Sequence, residues 1–172
     1  MKGILMISLK TAMLAAALLA GMAAAHSASA QVVALGASNT EGHGVGSSEA
    51  YPAQLERMLQ AKGSHTQVRN AGVFGDTTAG MLSRLSSSVP DGTKIVILQF
   101  GGNDFRQGIT PPQRQANIAS IQQQLKARGI KTVQADGYVK SALQSGMAQG
   151  DRIHLTVAGH QKVAAQLAGS IR

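Results

Sequence analysis

Two kinds of apolar spacing alternate along the chain from residue 31 to residue 171. Runs of consecutive or alternating apolar residues, typical of buried strands, occupy residues 31–36, 66–71, 94–100 and 130–135. Apolar residues that recur every three to four positions predict amphipathic helices at residues 51–62, 78–85, 112–128 and 157–171. Strands that alternate with helices in this way predict one α/β domain, residues 31–172, with a parallel sheet between two layers of helices.

The residues that directly follow the predicted strands carry the candidate chemistry, because ligands of such sheets bind beyond the carboxyl ends of the strands. Ser38 follows the first strand, Gly75 the second and Asn103 the third, and the segment GDRIHLTVAGH, residues 150–160, precedes the last helix. Taken singly, a serine, glycine or asparagine in a loop is most often a turn former. Together they offer a nucleophile, a base beside a carboxylate and oxyanion donors, which is the set that acyl transfer needs.

Two histidines are candidates for the base. His160 lies on one apolar stripe of the last predicted helix, which it shares with Val163, Ala164, Leu167 and Ile171. His154 precedes that helix, whose predicted N-cap is Thr156, and it shares its loop with Asp151. We therefore expect His154 to accept the proton of Ser38, Asp151 to fix the tautomer of His154, and His160 to pack against the sheet.

The N-terminal segment has the three parts of a secretory signal peptide. Lys2 and Lys10 precede an uncharged apolar run over residues 11–25, and the small residues at 28–30 end in A-x-A fashion. The run is shorter than the about 20 apolar residues that a spanning helix needs, so a retained membrane anchor is the weaker alternative. The sequence predicts a cleaved signal peptide at residues 1–30, a periplasmic or secreted mature chain, and no membrane anchor after cleavage.

Composition narrows the function classes. The formal net charge of +8 falls to +6 without Lys2 and Lys10, and the basic residues of the chain are scattered. Three Phe and two Tyr make a poor platform for stacking bases. Nucleic-acid binding is therefore not expected. The loop GHGVG at residues 42–46 lacks dinucleotide-binding spacing, and we interpret His43 as a loop residue. No compact metal-ligand spacing occurs, so we expect neither a metal nor a cofactor. The absence of cysteine excludes disulfides.

Four sequence blocks, in order, resemble the SGNH (GDSL-type) hydrolases, a family of esterases and lipases. The blocks are VVALGASNTEGHGV, RNAGVFGDTTAGMLSRL, ILQFGGNDF and GDRIHLTVAGH, and they cover most of residues 32–167. The N-A-G-x-x-G-D-T and G-G-N-D stretches are most similar to the thioesterase and arylesterase branch. The resemblance implies a flavodoxin-like three-layer sandwich with a parallel sheet of four to five strands. It also implies Ser38, Asp151 and His154 as the catalytic residues, and Ser38, Gly75 and Asn103 as the oxyanion hole.

Two departures from the family pattern change the expectation. Ala37 stands where the family has an aspartate beside the nucleophile, and Asn39 replaces the usual leucine. Losing that carboxylate should alter the hydrogen bonding of the loop while leaving the nucleophile in place. Only residues 136–150 separate the fourth strand from Asp151, where family members often carry a further helix and strand. We therefore expect a domain shortened in its C-terminal half, with a more open acyl pocket.

The expected function is that of a serine esterase, which cleaves small-molecule carboxylic esters or thioesters of small to medium acyl groups through an acyl-enzyme; thioesterase and lysophospholipase-like activities fall within this class. A carbohydrate O-acetylesterase of the same family is one alternative. A non-catalytic envelope or binding protein on the same scaffold is another, favoured by Ala37 and opposed by the intact Ser38, Asn103, Asp151 and His154. The fold is not expected to be that of an α/β-hydrolase, because G-x-S-x-G is absent around Ser38. Nothing in the sequence specifies an oligomeric state.

Overall fold

The computed structural model describes residues 32–171, so the predicted signal peptide at residues 1–30 lies outside the described part. Four strands form one parallel sheet in the order β2-β1-β3-β4. The strands are β1 Val32–Gly36, β2 Val68–Gly72, β3 Ile95–Gln99 and β4 Lys131–Gln134. The register pairs Val32 with both Val68 and Ile95, so β1, β2 and β3 end together and present their following loops at one edge.

Helices fill every connection between the strands. They are α1 Ser38–Glu41, α2 Tyr51–Ala61, α3 Thr78–Ser83, α4 Leu85–Ser88, α5 Asn103–Arg106, α6 Pro111–Ala127, α7 Asp136–Gln144 and α8 Val157–Ser170, with a 3-10 helix at Ser47–Glu49. The predicted N-cap of the last helix is confirmed, because the Thr156 hydroxyl accepts a hydrogen bond from the amide of Gly159. Because this cap fixes the first residue of α8, it also fixes the end of the preceding loop, which carries His154.

Two hydrophobic cores lie on opposite faces of the sheet, as the alternation of side chains along a strand requires. Val32 and Ala34 of β1 pack into the core that includes Tyr51 and Leu55 of α2 and several residues of α7 and α8. Val33 and Leu35 face the other core, which α3, α4 and α6 cover. The whole of β1 is buried, which explains its unbroken apolar sequence. The three-layer α/β fold predicted from the sequence is confirmed, with four strands.

Two element boundaries differ from the predictions for local reasons. Strand β2 starts at Val68 rather than at Thr66, because the Thr66 amide and hydroxyl both bond to the hydroxyl of Ser64 in a turn. The helix predicted over residues 78–85 is two helices that meet at Arg84. The Arg84 guanidinium bonds to Asp76, Ser88 and the carbonyl of Gly36, which holds the break in place.

The C-terminal half is shortened by less than the sequence suggested. Residues 136–150, read as a connection too short for the family's extra helix and strand, contain the nine-residue helix α7. Its Val139 and Ala142 join the core beside α8. A fifth strand is absent from residues 32–171, where only an isolated bridge pairs Ala148 with Leu155. The chain therefore passes from α7 almost directly into the loop that carries Asp151 and His154.

Candidate active site

Ser38 lies at the turn between β1 and α1, at the carboxyl edge of the central strand. Ala37 is extended (φ −94°, ψ −152°), and Ser38 is the first helical residue. A side chain at Gly36 would place its Cβ 2.1 Å from the Thr40 hydroxyl, so the turn can close this tightly only with glycine there. Ser38 is 8 % exposed, which leaves the hydroxyl accessible from one side.

His154 joins the hydroxyl of Ser38 to the carboxylate of Asp151. Its Nε2 lies 2.9 Å from Ser38 Oγ, and its Nδ1 lies 2.5 Å from Asp151 Oδ2. A carboxylate can only accept, so the ring donates from Nδ1, and the neutral ring then accepts at Nε2 the hydrogen of the serine hydroxyl. The structure thus brings together the three residues that the sequence analysis selected as nucleophile, base and carboxylate. Serine and histidine come from positions 116 residues apart.

The backbone around Asp151 keeps its carboxyl group ionised. The amides of Ile153 and His154 both donate to Asp151 Oδ1, at 2.9 and 3.0 Å. These two bonds, and then the bond with the His154 ring, hold the pKa of Asp151 well below its ordinary value. The turn that permits them puts Arg152 at a φ of 59°, in the left-handed region. Asp151 therefore presents a full negative charge to the imidazole at neutral pH.

The two loops beside β1 carry the candidate oxyanion donors. Gly75 follows β2 with a φ of 73°, a conformation that favours glycine. Asn103 starts α5 after β3, and its Nδ2 donates to the carbonyl of Asp76 at 2.8 Å, which ties the two loops together. A primary amide has two hydrogens, so one remains for a ligand. Gln107 adds a second tie by donating to the carbonyl of Gly75 at 2.7 Å.

Across residues 32–171, His, Asp and Glu side chains form no group of three that could hold a metal ion.

Over the same residues, no helix combines the length and apolar character needed to cross a bilayer.

Residues 34–149 match the family model described as GDSL-like lipase/acylhydrolase. The chain belongs to this family. The match contains the Ser38 turn and the loops of Gly75 and Asn103, and it ends just before Asp151 and His154.

Curated relatives and solved structures agree with the family. The chain is 36 % identical to the esterase TesA of Pseudomonas aeruginosa over 91 residues, which are 52 % of this chain and 45 % of that protein. It is 35 % identical over 94 residues to thioesterase 1/protease 1/lysophospholipase L1 of Escherichia coli, covering 54 % of this chain and 44 % of that protein. The chain thus matches less than half the length of these two relatives. A crystal structure of TesA superposes with a TM-score of 0.74 at 24 % identity, covering 82 % of this chain and 97 % of that one, which confirms the SGNH fold.

Asn39, noted in the sequence only as a departure from the GDSL pattern, bonds to the backbone on both sides of His154. Its Nδ2 donates to the carbonyl of Ile153 at 3.0 Å, and its Oδ1 accepts from the amide of Leu155 at 2.9 Å. One side chain next to Ser38 therefore bonds directly to the segment that carries His154. Leucine at this position could make neither bond, so this contact is a property of the present chain.

His43 and Phe74 form an aromatic wall beside His154, which sequence reasoning missed. The His43 ring lies 4.4 Å from the ring of Phe74 and 4.5 Å from that of His154, measured between centroids. Phe74 is 57 % exposed and immediately precedes Gly75. The sequence predicts only a loop residue at His43, and no motif in the sequence connects positions 43, 74 and 154.

His160 is buried in the interior, as predicted from the apolar stripe. It is fully buried, and its Nδ1 accepts a hydrogen bond from the amide of Tyr51 at 3.2 Å. The ring packs 6.3 Å from that of Tyr51. Burial, with a further contribution from His154, lowers the pKa of His160 to about 4, so the ring is neutral at physiological pH.

A cleft of about 410 Å³ opens next to Asn39, between the end of β3 and α7. Apolar Leu143 and Ile153 line part of it, and the cations of Arg106 and Lys140 line another part. A larger cavity of about 510 Å³ lies at the opposite, amino edge of the sheet and is remote from Ser38. The cleft beside Asn39 thus lies at the carboxyl edge of the sheet, on the same side as Ser38.

Proposed function

We propose that this protein is a serine esterase that hydrolyses carboxylic esters or thioesters of small to medium acyl groups through an acyl-enzyme. The observation that carries the proposal is the chain of contacts from Ser38 Oγ through His154 to Asp151, at 2.9 and 2.5 Å. Membership of the GDSL-like lipase/acylhydrolase family and the names of the relatives support the same class of reaction.

Acylation begins when His154 Nε2 takes the proton of the Ser38 hydroxyl while Oγ bonds to the carbonyl carbon of the ester. The carbonyl oxygen becomes an oxyanion, and the amides of Ser38 and Gly75 with the free N–H of Asn103 are its proposed donors. The tetrahedral intermediate collapses, and His154 returns its proton to the departing alkoxide or thiolate. Asp151 stabilises the imidazolium throughout by accepting from Nδ1.

Deacylation repeats these steps with water as the nucleophile. His154 takes a proton from water as the hydroxide adds to the acyl carbon, and the second tetrahedral intermediate collapses with proton return to Ser38 Oγ. The products are a carboxylic acid and the free enzyme.

Substitution of Ser38 is the direct test. Ser38→Ala should abolish hydrolysis of p-nitrophenyl esters of increasing chain length, and of matched thioesters, because no other described group occupies the nucleophile position. A phosphonate directed at serine hydrolases should label the wild type at Ser38 alone, as read by peptide mass spectrometry. Ser86→Ala, which changes an exposed serine of α4, is the matched control and should keep wild-type activity. Full activity in Ser38→Ala would show that the proposed function is wrong.

The base and its carboxylate should follow the same pattern with graded losses. His154→Ala removes the proton acceptor and should lower kcat by several orders of magnitude. Asp151→Asn presents an amide to Nδ1 and favours the wrong tautomer, with an expected loss of up to about 10⁴. Because the pKa of Asp151 is depressed, its charge is present throughout the neutral and mildly acidic range, so a decline in kcat there does not report protonation of Asp151.

A further inference from the structure

The carboxylate of Asp136 binds the backbone of the loop that leads to Asn103. Asp136 is the first residue of α7, just after β4. Its Oδ2 accepts from the amide of Phe100 and its Oδ1 from the amide of Gly101, both at 3.0 Å. Two consecutive amides are thus fixed by the two oxygens of one side chain. This loop precedes the candidate oxyanion donor by two residues, so its position sets the position of Asn103.

Gln99 extends the same network to the nucleophile turn. Its side chain is 2 % exposed, and its Nε2 lies 3.4 Å from Asp136 Oδ1. Its Oε1 accepts from the amide of Ala37 at 3.3 Å and from the hydroxyl of Thr40 at 3.2 Å. Since a carboxylate only accepts, it requires the amide of Gln99 to present Nε2 to it, which leaves Oε1 facing the turn. Without the carboxylate charge at position 136, the Gln99 amide could also turn its Oε1 toward residue 136 and its Nε2 toward the Ser38 turn.

Position 37 borders the loop that Asp136 holds. The Cβ of Ala37 lies 3.7 Å from where a Cβ on Gly101 would be. Ala37 replaces the aspartate that GDSL-type sequences carry beside the nucleophile, so this chain lacks a carboxylate at that point. We propose that Asp136 replaces it from the other side of the loop, as the positioning residue that aligns Asn103 and the Ser38 turn for catalysis. This inference rests on the proposed esterase function.

Loss of the Asp136 charge should act on the chemical step more than on substrate binding. Asp136→Asn keeps the size of the side chain but turns an NH₂ group toward a backbone N–H, so one of the two loop bonds is lost. A displaced Asn103 stabilises the oxyanion less, and a displacement of about 1 Å lowers rates by up to about a hundredfold. We expect kcat on a p-nitrophenyl ester to fall by about tenfold to a hundredfold, with KM within about threefold of wild type. Asp91→Asn, an exposed carboxylate near Arg128, is the matched control and should change neither constant.

A rescue experiment separates positioning from general stability. Asp136→Ala should lose at least as much kcat as Asp136→Asn, and Ala37→Asp in the Asp136→Ala background should recover about tenfold or more of that loss. Ala37→Asp alone should be impaired, because it crowds two carboxylates around one loop. A protein that is merely less stable would not regain kcat from a new buried charge. Melting curves by circular dichroism establish that each variant is folded at the assay temperature.

The outcomes distinguish the two proposals. Wild-type kcat in Asp136→Asn, with Ser38→Ala inactive, would overturn the positioning role and leave the esterase function standing. Failure of Ala37→Asp to improve Asp136→Ala would overturn the replacement of one carboxylate by the other. If Asp136→Ala does not fold, the split between kcat and KM in Asp136→Asn decides the question. Activity retained in Ser38→Ala would instead remove the esterase function itself.

Discussion

Asn39 adds two side-chain hydrogen bonds to those that fix the backbone around His154. The base lies in a loop without regular structure between α7 and α8, so its backbone needs bonds from elsewhere to stay in place. On one side of His154, the buried amide of Leu155 donates to Asn39 Oδ1. On the other side, the carbonyl of Ile153 accepts from Asn39 Nδ2. Asn39, the residue after Ser38, thus links the Ser38 turn directly to the His154 segment.

Asn39→Leu, which restores the residue usual in the family, should therefore impair this chain. We expect kcat to fall by about tenfold to a hundredfold as His154 moves away from Ser38, since near-contact geometry governs the rate. The buried amide of Leu155 is left without its acceptor, and the free energy of unfolding should drop by about 1–3 kcal/mol. Kinetics on a p-nitrophenyl ester and urea denaturation measure both effects. An Asn39→Leu variant with unchanged kcat would show that the loop holds His154 unaided.

Residue types in sequence motifs predicted part of this site and could not predict the rest. Ser38, Asp151 and His154 were recognisable because their order and spacing form blocks that recur in a family. Asn39 and Asp136 act through bonds to backbone atoms at positions 114 and 36 residues away, and such contacts have no local sequence pattern. The ring of Phe74 likewise lies near that of His154 only because their two loops meet at the edge of the sheet.

At the scale of elements, the titratable side chain of His160 is buried where α8 packs against α2. His160 of α8 accepts from the amide of Tyr51, the first residue of α2, and burial holds the ring neutral. Protonation would place a charge between two helices. The free energy of unfolding must therefore depend on pH in the range where the unfolded chain binds a proton at this site and the folded chain does not.

Stability should fall as the pH is lowered from about 6.5 to about 4. The folded pKa of about 4 lies below the unfolded value of 6.5, so the unfolded state binds more protons across this window, and stability rises with pH there. The shift corresponds to roughly 3 kcal/mol at most. Urea unfolding at several pH values should show this slope in the wild type and a smaller slope in His160→Asn, whose kcat should stay within about tenfold of wild type. His65→Asn, at an exposed position, should keep the wild-type slope; an unchanged slope in His160→Asn would contradict the assignment.

Two physical causes explain which elements sequence periodicity missed. Helices α1 and α5 have four residues each, too few to show a repeat of 3.6. Helix α7 buries only Val139 and Ala142, and Gly137 near its start weakens its intrinsic propensity. Its stability comes from packing beside α8, which is a tertiary effect. The predicted bounds of β1, β3, α2, α6 and α8 lie within two residues of the observed ones at each end, because the burial of one helix stripe or of both strand faces dominates their sequences.

At the scale of the whole molecule, the start of β1 constrains processing of the N-terminus. Strand β1 begins at Val32 and pairs with two neighbours from its first residue. If residues 1–30 are a cleaved signal peptide, as the sequence predicts, the cut has to precede that strand. We expect the N-terminus of exported protein to lie between His26 and Gln31, which N-terminal sequencing of the periplasmic or secreted fraction would determine. Recovery of the chain with Met1 retained, in the membrane fraction, would contradict a cleaved signal.

The separation of Ser38 from His154 by 116 residues has a consequence for the time course of synthesis. A chain that emerges in N-to-C order presents the serine early, while the base, its carboxylate and the helix that ends their loop appear last. Parallel strands joined by long crossovers also form slowly, because distant segments must meet before any contact repays the loss of chain entropy. If Ser38 is the nucleophile and His154 its base, as we propose, a nascent chain carries the serine without its proton acceptor. The proposed esterase would then gain activity only after α8 has docked.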